Sequence, residues 1–199
     1  MLASQTSPNG VAASALGPAT APDRRSRARR WVLADGLAAT LRQVRADDAA
    51  ALDAMLRRQS RASRYFRFHS AVNGLTEKQL ARLTRTDDPL HLGLVLTLDG
   101  PGVAPLLVAE ARFASDDGVS GEVATIVDEA WRRRGLCSLA LEGLLAGARR
   151  VGLRYLHGRV LDSNDSMLGL ARRACWSMTR DPEDGRVRCF RIELGRAGG

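Results

Sequence analysis

Three consecutive arginines and a glycine, Arg132-Arg133-Arg134-Gly135, stand between two apolar runs of different period. Before them, Glu122-Val-Ala-Thr-Ile-Val127 places Val123, Thr125 and Val127 on one face and Glu122, Ala124 and Ile126 on the other, which predicts a strand. After them, Leu136, Leu139, Ala140, Leu144, Ala148 and Val151 recur at three- and four-residue spacing. Arg149 and Arg150 then fill a last turn and Gly152 stops it, so this run predicts a helix. A turn that enters a helix leaves backbone N–H groups unpaired and pointing one way, and the helix dipole adds positive potential. Such a turn binds phosphate, and Gly135 lets the ligand come close to the backbone. Arg132, Arg133, Arg134, Gly135, Leu136, Cys137 and Ser138 are therefore expected to form a pyrophosphate cradle at the end of a strand. A solvated basic turn is the plainer alternative. The segment has neither the Gly-Lys-Ser/Thr of a Walker loop nor the GxGxxG of a dinucleotide fold.

The remaining elements follow from the same signals. Ala38 to Val44 reads as a strand, and Asp47 as the cap of a helix from about Asp48 to Arg58. Arg61 to Asn73 holds three aromatics among arginines, and Tyr65 and Phe68 suit either a substrate wall or a packed core. Thr76 and Gln79 fit a capping box. His91 to Leu98 and Ala104 to Phe113 read as a hairpin around Asp99-Gly-Pro-Gly102. Arg154 to Leu161 reads as a strand, Asn164 to Ala174 as a helix, and the chain closes with a hairpin around Pro182-Glu-Asp-Gly185. An α/β three-layer architecture follows.

The segment Val127-x-x-x-Trp131-Arg132-Arg133-Arg134-Gly135-Leu136-Cys137 resembles the coenzyme A motif R/Q-x-x-G-x-G/A of the GNAT superfamily of N-acetyltransferases. Arg132 and Gly135 match it, and Cys137 stands at its last small position. Val160 to Trp176, with Asn164 opening a helix and Cys175-Trp176 ending it, is similar to the next family motif. Ser63 to Phe68 and Leu75 to Leu80 look like the acceptor-side helices of the Pat-type protein lysine acetyltransferases. The resemblance covers roughly residues 41 to 194. It implies a GNAT-like fold whose mixed sheet of six or seven strands splays between the Glu122 strand and the Arg154 strand, with acyl-CoA in the gap.

The resemblance also implies roles. Ile126 and Val127 would pair through their backbone with pantetheine, and an N–H near Thr125 or Ile126 would meet the thioester oxygen. Asn164 would contact pantetheine besides capping its helix, with Met167 beside it. Glu122-x-Ala124-x-x-Val127 looks like the strand that carries the general base of the Pat-type enzymes. A base is needed because a lysine-type amine, with a pKa of about 10.4, is protonated at neutral pH. Glu122 is the candidate. Glu110 is the second carboxylate and is expected to pair with an arginine, while Asp128 and Glu129 are expected to be solvated. Ala171 stands where many relatives carry a tyrosine acid. Cys137 brings a sulfur towards the phosphate end, and Cys175 replaces a glycine at a helix end. Among the histidines, His157 lies next to the splay.

Composition bounds the rest. The chain has 199 residues and a net charge of +8, and 45% of it is hydrophobic, enough for one core. No run approaches the roughly 18 apolar residues of a membrane span. No His/Cys/Asp set has metal-ligand spacing, and three scattered cysteines suit a reducing cytoplasm. Residues 1 to 30 lack periodicity and carry five arginines against one aspartate, so they are expected to be a disordered basic tail before a domain of residues 31 to 199. A nucleic-acid arm is disfavoured, because no aromatic interleaves Arg24 to Arg30. The reading is an acetyl-CoA-dependent N-acetyltransferase acting on a protein lysine by direct attack in a ternary complex. A small amine as acceptor, or a catalytically degenerate acyl-CoA-binding module, are the alternatives.

Overall fold

A computed structural model of the chain describes residues 28–195 apart from 34, 69, 71–73, 86, 101 and 102. The elements run β1 (Arg29–Val32), β2 (Ala38–Gln43), α1 (Ala49–Arg58), α2 (Arg61–Phe68), α3 (Glu77–Leu83), β3 (His91–Gly100), β4 (Val103–Ala114) and β5 (Ser120–Val127). They continue with α4 (Leu136–Arg150), β6 (Tyr155–Leu161), α5 (Asp165–Arg173), β7 (Ser177–Arg180) and β8 (Val187–Glu193). One sheet holds the strands in the order β1-β2-β3-β4-β5-β6-β8-β7. Every pairing is antiparallel except β5 with β6.

The sheet is the middle of three layers. On one face α4 buries Leu136, Ala140, Leu141, Leu144 and Ala148 against Leu94, Leu96, Phe113, Val123 and Leu156. Each such side chain contributes roughly 1.5–3 kcal/mol when fully buried. Contact is close enough that a Cβ added to Gly147 would lie 2.3 Å from Leu92. On the other face α1 packs Leu52, Met55 and Leu56 on Val95, Leu107 and Ile126, with Leu80 and Leu83 of α3 beside them. The alternation of β5 thus serves two cores, Val123 facing α4 and Ile126 facing α1.

Between β5 and β6 the sheet opens. The two strands pair only at Ser120–Tyr155, Gly121–Leu156 and Glu122–His157, although β5 continues to Val127 and β6 to Leu161. The expected splay is there, and it leaves one backbone edge of β5 without a strand partner from Val123 onwards.

Four local expectations need correction. The sheet has eight strands, because β1 begins at Arg29, inside the stretch expected to be tail. Trp31 packs on the main core and pairs with Ala39, which holds this edge strand. Residues 1–27 lie outside the described residues. The acid at the start of α1 is Asp48, not Asp47: it is buried, accepts from the Arg45 N–H at 2.8 Å and meets the Arg42 guanidinium at 2.6 Å. Burial alone would raise its pKa, and those bonds more than offset that and lower it. Tyr65 is 44% exposed and so is not a core residue, whereas Phe68 packs on the second core. Asp128 is buried, not solvated, for reasons that belong to the site. The Thr76–Gln79 capping box is formed in both directions, and Asn164 caps α5 by accepting from the Met167 N–H at 3.2 Å.

Candidate functional site

The loop from Asp128 to Gly135 is set by its own backbone. Arg133 has φ +64° and Gly135 has φ +79°, both left-handed, and the first helical bond of α4 is Leu139 N–H to Gly135 C=O at 3.1 Å. The N–H groups of Leu136, Cys137 and Ser138 therefore stand outside the helix ladder. A Cβ built on Gly135 meets nothing within 4 Å, so the outer side of the turn is open. These features fit an anion with several acceptor oxygens.

The three arginines have different surroundings. Arg132 donates to the Ser63 hydroxyl at 2.7 Å and to the Val127 carbonyl at 3.3 Å, so it ties the loop to α2 and β5. Arg134 is paired with Asp35 in the β1–β2 turn and lies over the Trp131 ring at 4.7 Å. Arg133 is exposed and has no side-chain partner among the described residues. Of the three, Arg133 is the one whose guanidinium is left for a ligand.

The root of the loop is held from α1 and the start of α2. Asp128, 4% exposed, pairs with Arg58 at 2.9 Å and accepts from the Ala130 N–H at 3.2 Å. Glu129 accepts from the Ser60 N–H at 3.0 Å and from the Ser63 hydroxyl. Those bonds, with Arg132 close by, hold its pKa down at about 2. An open depression of about 630 Å³ lies here, lined by Arg58, Leu106, Asp128, Glu129, Ala130 and Trp131.

Cys137 is turned inwards. Its thiol meets Thr125 and its side chain packs on the main core, and burial pushes the thiol pKa up. The sulfur therefore does not sit at the phosphate, and the group is poorly suited to be a nucleophile. Cys175 has φ +54°, the left-handed value expected where a glycine is replaced. Ala171 is fully buried in α5.

At the other end of the gap, Glu122 is exposed and has no hydrogen-bond or ion-pair partner among the described residues. Glu110, by contrast, is 2% exposed and pairs with Arg67 at 3.0 Å and Arg112 at 2.5 Å, while Arg112 also donates to the Leu83 carbonyl. Burial alone would raise its pKa; the two guanidiniums overcome that and lower it. Glu110 is thus the tie that fastens α2 and α3 to β4, as its expected pairing implied.

The structure brings the residues named from the sequence onto β5, the turn into α4 and the start of α5. Glu122 is the last residue of β5 paired with β6 and Thr125 to Val127 lie on its unpaired edge, Arg132 to Ser138 form the turn at its end, and Asn164 and Met167 begin α5. Sequence reasoning missed the braces Arg58, Ser60, Ser63 and Asp35. Their partners lie up to 99 residues away, and no local pattern marks such pairs.

Known proteins share this fold. The acetyltransferase (GNAT) domain model matches residues 39–174. The crystal structure of the GNAT domain of PAT from S. lividans is similar over 83% of this chain and 96% of that one, at 29% identity and a TM-score of 0.74. The structure of yncA, an acetyltransferase from Salmonella typhimurium solved with its cofactor acetyl-CoA, covers 80% of this chain and 96% of that one at 20% identity, with a TM-score of 0.63. A cAMP-binding acyltransferase from Mycobacterium smegmatis is similar over 85% of this chain but 48% of its own length, at 23% identity and a TM-score of 0.57. With the splay, the left-handed turn and a family model that spans most of the folded residues, the chain belongs to the GNAT family of acetyltransferases.

Proposed function

We propose that the chain transfers the acetyl group of acetyl-CoA to a primary amine, and that the amine is a lysine side chain of a protein. One observation carries this reading: a strand with an unpaired edge runs from an unengaged carboxylate, Glu122, to an open turn with an unengaged cation, Arg133. Pantetheine amides would bond along Thr125, Ile126 and Val127, and the pyrophosphate would take the N–H groups from Gly135 to Ser138 with Arg133. Asn164 and Met167, at the start of α5, would border the pantetheine from the far side. An N–H near Thr125 or Ile126 would stabilise the tetrahedral oxyanion.

Attack is direct, in a ternary complex, since no cysteine is placed as a nucleophile. Glu122 accepts the proton of the incoming ammonium, directly or through a water. The carbon–sulfur bond breaks and the thiolate leaves; with Ala171 buried, solvent reprotonates it. The likeness to the GNAT domain of S. lividans PAT and the exposed Tyr65 on α2 support a protein lysine as acceptor. Three free cysteines support a reducing, cytoplasmic setting.

The test is a thermal unfolding titration with acetyl-CoA, followed by turnover on lysine peptides and on small amines. Acetyl-CoA at about 100 times its Kd should stabilise the fold by about 2.7 kcal/mol, a shift of several degrees. Acetylation of small amines without any lysine peptide would replace the protein acceptor by a small molecule. Binding without turnover on either would leave an acyl-CoA-binding module.

A further inference from the structure

The mouth of the splay has two lips, and each carries a proton-binding side chain on the same face. A Cβ on Gly121 would meet Leu156 at 2.8 Å, so these two partners share the core face. The next pair, Glu122 and His157, therefore points to the opposite, open face. They are the last paired residues before the strands part, about 4.8 Å apart along the hydrogen-bonding direction.

The other charged groups around His157 are already engaged. Its partner on β8 is Arg191, which lies over the Tyr155 ring at 3.5 Å and bonds Glu193 at 2.5 Å. Arg159, two residues along β6, is held by Asp181 at 2.9 Å. From β4, the partner of Glu122 is Ala114, and Arg112 is taken by Glu110. From α2, which packs on β5, Arg67 is taken by Glu110 as well. The His157 ring is half-buried and touches Tyr155 at 6.0 Å between centroids. Glu122 and His157, paired in register on one face, are the two groups left at the mouth.

That pairing answers a chemical difficulty. A carboxylate is about six pKa units below a lysine ammonium, a poor match for proton removal, whereas imidazole lies between the two. Resting on the acetyl-transfer reading above, we propose that His157 is a proton-relay residue acting through Glu122. Glu122 takes the proton as the ammonium N–H bond breaks, and the freed lone pair forms the bond to the acetyl carbon. The proton passes from the Glu122 carboxyl to the neutral His157 imidazole through a bridging water. It is held there as imidazolium beside the restored carboxylate and is then lost to solvent. The nitrogen sheds its second proton, now acidic, to solvent as the tetrahedral intermediate collapses, and the thiolate departs with the electron pair of the broken carbon–sulfur bond, so charge and atoms balance.

The first test needs no turnover. The ring of His157 is followed by NMR from acid to alkaline pH, with His157→Gln to assign its signals among the three histidines. Glu122→Gln should move the His157 ring signals, because the two residues are paired on adjacent strands and share a face. The second test is turnover of acetyl-CoA with poly-L-lysine. His157→Gln should lose about ten-fold in kcat near neutral pH, with the loss shrinking as pH rises, and an unchanged acetyl-CoA Kd. Added imidazole should restore part of the activity of His157→Ala, which a structural role would not allow. Unmoved His157 ring signals in Glu122→Gln, or a His157→Gln protein with the wild-type pH profile, overturns the relay. A wild-type protein inert towards poly-L-lysine and small amines would overturn the acetyl-transfer reading instead, and the NMR coupling would still decide whether the two groups share a proton.

Discussion

The two ends of the β5 edge are built in opposite ways. At the loop end, Arg58, Ser60, Ser63, Asp128, Glu129 and Arg132 are bonded to one another, and Arg134 is paired with Asp35. One cation, Arg133, is left over. At the mouth end, Glu122 has no partner among the described residues. The loop end is preorganised by its own charges, and the mouth end is left unengaged. The difference separates two tasks: holding a donor wants fixed geometry, whereas proton transfer wants a group not already committed to a protein cation.

That contrast can be broken at several points. The largest effect is expected at Glu110, the brace of the wall formed by α2 and α3. Glu110→Ala leaves Arg67 and Arg112 buried without their anion, at a cost of about 3–5 kcal/mol. It should appear in thermal unfolding as a Tm fall of about 6–20 °C for a domain of this size. A fall of only a degree or two would mean the wall does not depend on that tie.

A smaller effect separates the arginines. Arg133→Ala should raise the acetyl-CoA Kd about ten-fold, the loss of one charge-assisted hydrogen bond, with little change in Tm. Arg132→Ala should do the reverse, lowering Tm while moving Kd less, because its guanidinium serves Ser63 and Val127. Equal effects of both on Kd would contradict the division drawn here.

Two left-handed residues should respond with opposite sign. Gly135→Ala places a Cβ at φ +79° and should cost about 1–2 kcal/mol, while Cys175→Gly relieves φ +54° and should gain about 1 kcal/mol. Chemical denaturation of both proteins measures them together.

The smallest effect concerns acid. Glu129 has its pKa lowered to about 2 by the Ser60 and Ser63 bonds, so its contribution to stability is complete above the ordinary carboxylate range and is lost as pH falls towards 2. Glu129→Gln should flatten that part of the stability–pH curve and leave the curve above pH about 5 with the same slope.

Much of this fold could be read from residue periodicity alone. The β5 strand, the basic turn and α4 are local patterns, as are the Thr76 cap and the Asn164 cap, and the structure places all of them as read. β1 could not be read, because Arg29-Arg30-Trp31-Val32 is an exposed edge with one half-buried residue and no alternation. Asp128 looks like a solvated acid in sequence because its partner Arg58 sits about 70 residues earlier, while Glu129 is exposed as read and the sequence hides only its bonds to Ser60 and Ser63. Cys137 occupies the motif position expected at the phosphate, yet helix phase turns its sulfur to Thr125. Glu122 was reachable only through the family motif around it. The pairing with His157 needed the register of a parallel contact three residues long, which no local pattern encodes.

The most direct test of the division between the two ends is one paired measurement on Glu122→Gln. Its acetyl-CoA Kd is taken by calorimetry and its kcat on poly-L-lysine by thiol release. The account predicts a Kd within about two-fold of wild type and a kcat lower by 100-fold or more, roughly 3 kcal/mol of transition-state stabilisation. A Kd weakened as much as that of Arg133→Ala, or a kcat left intact, would contradict it.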